Sequence, residues 1–86
     1  MNFIECCEKV REKGLCMIRL QEGQSAQYDL LPFEGEEKRG WVWLDTTTAN
    51  VVCQIYSVLS PERQEKFRTL PAPVIINFCW RVADGK

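Results

Sequence analysis

Gly40-Trp41-Val42-Trp43-Leu44-Asp45-Thr46-Thr47-Thr48 holds the change of structure on which the fold turns. Trp41 to Leu44 are aromatic, β-branched and aliphatic side chains that suit a pleated surface. Asp45 and the three threonines then offer side-chain oxygens to the unpaired amides of a helix start. The segment reads as a strand, Gly40 to Leu44, that delivers the chain into a helix. Alternation sends Val42 and Leu44 to one side of that strand and Trp41 and Trp43 to the other. A sheet covered on one face normally turns polar residues outward on the other. Here both sides are apolar.

Toward the N-terminus, Leu15 to Leu20 reads as a strand and Ala26 to Leu31 as its hairpin partner, with Gln21 to Ser25 as the turn. Cys16, Ile18 and Leu20 share one face of the first strand; Leu15, Met17 and Arg19 share the other. Tyr28 and Leu30 lie together on the second, opposite Gln27 and Asp29. Pro32 is expected to end that strand, having no amide hydrogen to give. Residues 2–13 read as a helix, with Phe3, Ile4, Cys7 and Val10 inward, Asn2 as cap and Gly14 as terminator. A Glu5 to Lys9 pair is expected on its charged face.

Toward the C-terminus the helix begun at Asp45 runs to about Leu59, burying Val52, Ile55, Tyr56 and Leu59. Ser60-Pro61-Glu62 restarts a short helix that carries Phe67 and Leu70 inward and stops before Pro71. A last helix is expected from Pro73 to about Ala83, with Ile75, Phe78, Cys79 and Val82 inward. A buried strand over Val74 to Trp80 is the competing reading. The order is helix, three strands, three helices. Its simplest packing is α+β: an N-terminal helix, a three-stranded antiparallel sheet and three C-terminal helices gathered on one face.

With 86 residues the chain is one domain, residues 1–86, with no room for a second core. Its 45% hydrophobic and 27% charged composition excludes disorder and fibrous repeats. Eleven basic residues against twelve acidic ones give a net charge of -1, which supplies no strong basic field for nucleic acid. No stretch approaches the ~20 apolar residues of a membrane helix. The start, Met1-Asn2-Phe3-Ile4-Glu5, does not read as a secretory signal. The five cysteines, Cys6, Cys7, Cys16, Cys53 and Cys79, form no Cys-x-x-Cys spacing and fit buried free thiols better than a disulfide or zinc framework. Cytoplasmic residence is the expectation.

Histidine is absent, and with it the usual general base and the commonest transition-metal ligand. There is no phosphate-binding glycine loop. No catalytic residue, metal site or cofactor is expected, and the chain reads as a non-enzyme. A reactive cysteine is the weakest alternative. The residues that point to function are Trp41 and Trp43 on the uncovered sheet face, with Lys38 and Arg39 in the neighbouring polar loop, Phe33 to Gly40. Trp80 on the last helix is a further candidate. Tryptophan is the residue most enriched where interfaces concentrate their energy. This surface suits a protein partner or a second copy of the chain, unless the C-terminal half wraps round to bury both indoles. The alternative is a small DNA-binding regulator using the C-terminal helices. It would rest on Arg63, Lys66 and Arg68, with Asn77 and Arg81 on the last helix.

Asp45-Thr46-Thr47-Thr48-Ala49 entering a helix, then Leu59-Ser60-Pro61-Glu62, Lys66-Phe67 and Leu70-Pro71-Ala72-Pro73, resembles small uncharacterised proteins of phages, prophages and mobile elements. The likeness covers the C-terminal half of the chain. It implies a non-catalytic phage protein that inhibits a host defence system by covering a protein partner, in the manner of an anti-CRISPR. It carries no binding residue over to this sequence.

Overall fold

The computed structural model describes residues 1–85. The order is α1 (Phe3–Lys13), β1 (Cys16–Leu20), β2 (Tyr28–Pro32), β3 (Val42–Leu44), α2 (Thr46–Val58), α3 (Pro61–Phe67) and α4 (Ala72–Ala83). This is the expected α+β arrangement, with the three strands antiparallel in the order β2-β1-β3. Residues 74–80 are helical, so the competing strand is excluded.

The helix ends follow the capping chemistry. Asn2 accepts from the Glu5 amide at 2.8 Å, and the Glu5 carboxylate accepts from the Asn2 amide at 2.9 Å, a reciprocal pair that satisfies two orphan donors. Gly14, at φ 91°, ends α1 in a conformation that a side chain would strain. Asp45 accepts from the Thr48 amide at 2.7 Å and starts α2. Ser60 caps α3 ahead of Pro61. The expected Glu5–Lys9 pair is corrected: Glu5 is engaged in the cap, and Lys9 reaches Glu12 at 4.0 Å.

The ladder has a simple parity. Gln21 donates to the Gln27 carbonyl at 2.8 Å and Phe33 to the Leu15 carbonyl at 3.1 Å, so the odd-numbered residues of β1 bond β2. The even-numbered ones therefore bond β3, where Cys16 faces Leu44 and Ile18 faces Val42. Pro32 belongs to β2 rather than ending it. It is opposite Cys16, an even position, so its missing amide hydrogen falls on the outer edge and costs the ladder nothing. At the other end of that edge, Tyr28 donates to the Met1 carbonyl at 2.7 Å and accepts from the Met1 ammonium at 3.1 Å.

The helices lie against one face. Phe3, Ile4, Cys6, Cys7 and Val10 of α1 meet Cys16, Ile18, Tyr28 and Leu44 of the sheet, with Ala49, Val52 and Cys53 of α2, Phe67, and Ala72, Ile75 and Cys79 of α4, in one buried cluster. All five cysteines are in that cluster or its wall as free thiols. The inward stripe of α4 differs from expectation. It runs through Ala72, Ile75, Ile76 and Cys79, while Phe78 is 41% exposed and Val82 also faces outward. The stripe turns because Ala72 is the first helical residue and is anchored: its amide donates to the Tyr28 hydroxyl at 2.9 Å. Phe78 instead meets Phe67 edge to face, with ring centres 5.4 Å apart.

Candidate interaction surface

The helices leave the far face of the sheet uncovered, and β1 sets its layout. By register Met17 is flanked by Leu31 and Trp43. Arg19 is flanked by Asp29 and, one step beyond the last β3 pair, Trp41. Met17 is 1% exposed yet stands apart from the helix-side cluster. It is the seed of a second, smaller apolar layer. The Phe33 ring meets Trp43 edge to face at 5.5 Å, and the 33–40 loop brings Glu34, Glu36 and Lys38 over Met17, Leu31 and Pro32. Trp43 nevertheless remains 54% exposed, and Trp41 is half-buried.

Arg19 organises the polar half of this face. Its guanidinium carbon is 4.6 Å from the Trp41 ring centre, and its Nη2 is 3.1 Å from the Asp29 carboxylate. The Gln21 amide also donates to Asp29, at 3.1 Å. A cation stacked on an indole and held by a carboxylate is fixed in place by its own chain. Two tryptophans and an arginine on one rigid sheet are the residue types that dominate interface energetics.

The sequence candidates divide. Trp41 and Trp43 share this face, and Lys38 and Arg39 are exposed in the loop at its border. Trp80 does not join them. It sits on α4, in the helix layer on the other side of the sheet, 37% exposed. Two residues that belong to the surface escaped the sequence reading: Arg19, whose place on the Met17 face the alternation already gave, and Phe33, assigned to a polar loop. Three basic residues of the DNA-binding alternative, Arg63, Lys66 and Arg68, lie on α3 or at its C-cap. Arg63 and Lys66 flank an apolar hollow with Leu59, Phe67, Leu70 and Phe78, and Arg68 donates to the Tyr56 hydroxyl.

On the helix side, a second apolar recess of about 470 Å³ runs between the open end of the sheet and the start of α4. Ile18, Leu20, Val42 and Leu44 form one wall, and Pro71, Ala72, Pro73 and Ile76 the other. Val42 is 60% exposed there.

The thiols fall into two environments. Burial pushes Cys6 and Cys79 up to about 11 and raises Cys16 as well. Cys7, which gives its hydrogen to Cys53, is pushed up furthest, by that bond and by burial. Cys53 is lowered to about 7, first by the hydrogen bond from Cys7 and then by Arg11, against the opposing effect of burial. It opens onto a shallow hollow with Ile4, Glu8, Arg11, Tyr56 and Ser57. Among the described residues, no group of three or more His, Cys, Asp or Glu side chains is placed to hold a metal ion. No helix among them is long and apolar enough to cross a membrane. In comparisons with known proteins, no family model, no curated protein and no solved structure matches this chain.

Proposed function

We propose that this chain is a non-catalytic protein-interaction module that binds a protein partner through the uncovered face of its sheet. The observation that carries the reading is Trp43, more than half exposed on a rigid strand, beside a Trp41 that is already stacked on an anchored Arg19. Leaving an indole in water forgoes a large part of the ~200 Å² of burial that its surface offers. A partner that covers it recovers that term without having to order the side chains first. The border loop carries both signs, Glu34, Glu36 and Glu37 beside Lys38 and Arg39, and suits a partner with a mixed polar rim around an apolar centre. The likeness of the C-terminal half to small phage proteins adds a narrower role, inhibition of a host defence protein by occlusion.

The test is affinity capture by the immobilised chain from host extract, with the wild type beside a Trp41→Ala/Trp43→Ala double variant whose fold is checked by circular dichroism. The double variant is expected to lose the captured partner. A folded double variant that captures the same partner equally well would falsify the proposal. Removing the charges of Arg63, Lys66 and Arg68 should leave DNA retention unchanged, because DNA is not the ligand in this reading; a steep loss of retained DNA would favour the regulator instead.

A further inference from the structure

We infer that β3 pairs edge to edge with β3 of a second copy, joining the two sheets into one six-stranded antiparallel sheet. The inference deepens the interaction-module reading by naming a partner for the rim of the same surface, though it rests on backbone rather than on the indole face. By the parity of the ladder, Val42 and Leu44 turn their backbone groups toward β1, so those of Trp41 and Trp43 turn outward. Asp45 continues in extended conformation at φ -87° and ψ 167°, which turns its amide to the same side as that of Trp43. The Trp41 amide is taken by the Lys38 carbonyl. The amide and carbonyl of Trp43, the carbonyl of Trp41 and the amide of Asp45 find no partner among the described residues.

Those four groups are self-complementary about a two-fold axis at Trp43. In the antiparallel register Trp43 to Trp43, the two Trp43 residues exchange both of their bonds. Each Asp45 amide then meets the Trp41 carbonyl of the other copy. Val42 falls opposite Leu44 of the second copy on the helix side, covering the exposed Val42, and the two Trp43 rings become cross-strand neighbours on the outer face. The contrast with the other edge of the sheet is the second argument. Along β2 two of the three outward positions are blocked, Tyr28 by its two bonds to Met1 and Pro32 by its missing amide hydrogen, which leaves Leu30. Blocking of this kind is how proteins protect a strand edge, and along β3 it reaches the Trp41 amide but not Trp43 or Asp45 among the described residues.

The pairing is short, well below the ~800 Å² per partner of a standard interface, so a midpoint on the order of 10–100 µM is expected. Sedimentation of the full chain from about 5 µM to about 500 µM should show the mass rising from 10.0 kDa toward twice that value. Hydrogen exchange reads the geometry directly. The Trp43 and Asp45 amides should become protected as concentration rises, while the Val42 and Leu44 amides are protected throughout. Val42→Lys, at an exposed position on the helix side, should weaken association at least tenfold and leave capture through the outer face intact. Loss of that capture with the dimer preserved would fault the functional reading and spare this one. A monomer across the whole range, or a dimer whose Trp43 amide exchanges freely, overturns the inference.

Discussion

Replacing Tyr28 by phenylalanine tests how the sheet fixes the start of α4. Four amides at a helix start lack partners within the helix. In α4, Val74 and Ile75 both donate to the Pro71 carbonyl, at 3.1 and 3.2 Å, and Pro73 has no amide hydrogen. That leaves Ala72, and Pro71 has no side-chain oxygen with which to cap it. The Tyr28 hydroxyl takes that bond from across the core, 44 positions away, at 2.9 Å. Tyr28→Phe keeps the ring, its edge contact with Phe3 at 6.1 Å and its volume, and removes only the acceptor. Ala72 is buried, so its amide is left without water or protein to bond. Such an orphan costs about 1–3 kcal/mol. For a domain of this size each kcal/mol moves Tm by about 4–8 °C, so a 2 kcal/mol loss lowers it by about 8–16 °C. Thermal and urea unfolding of Tyr28→Phe beside Tyr56→Phe gives the measurement, since among the described residues the hydroxyl of Tyr56 bonds only the exposed Arg68 and its loss should stay within about 0.5 kcal/mol. If the two variants unfold alike, the tie between sheet and helix is not what holds α4 in place.

Met17→Ala should destabilise the chain by about 2–4 kcal/mol in urea unfolding, because Met17 anchors the outer apolar layer and its removal leaves a cavity beneath Trp43. A loss below about 1 kcal/mol would mean the loop collapses freely into the space. The thiol environments predict an alkaline decline. Cys6 and Cys79 hold their protons to about 11 in the folded chain against 9.0 when unfolded. The folded state therefore binds more protons over that window, and stability is complete below pH 9 and falls as pH rises from 9 toward 11. Urea titrations at pH 8, 9, 10 and 11 should show this fall, and a flat profile would contradict it. Cys53 has the opposite displacement, to about 7, so its alkylation rate should climb through pH 7, with Cys53 the first site found by peptide mapping. First labelling at Cys16 or Cys79 would show that access outweighs thiolate character.

Local chemistry made much of the fold legible. Asn2, Gly14, Asp45 and Ser60-Pro61 mark ends that the backbone uses as expected, because a cap is decided within four residues of itself. Alternation likewise assigned both faces of all three strands, including the side of β3 that holds the indoles. Strand order was out of reach: that β3 returns beside β1 rather than β2 depends on the 33–40 crossover and on Met1 occupying the far edge, both non-local. The same cause misplaced the stripe of α4, whose rotation is set by Tyr28 gripping Ala72 rather than by any spacing inside the helix. Of the surface, the tryptophans could be read and Phe33 could not. Its neighbours Glu34, Gly35, Glu36 and Glu37 mark a polar loop, and only the fold turns its ring onto Trp43.

The two neighbours Met17 and Ile18 point into separate apolar layers with a single thickness of strand between them. Below that partition lie four helices; above it there is only one loop. On the proposed interaction reading, a ligand that settles on Trp43 would add a third tier and draw the fold's own equilibrium toward the native side, by about 2.7 kcal/mol when present at a hundred times its dissociation constant. Resistance of the chain to proteolysis would then depend on how much of it is bound, and the unbound fraction would be the first to be cleared.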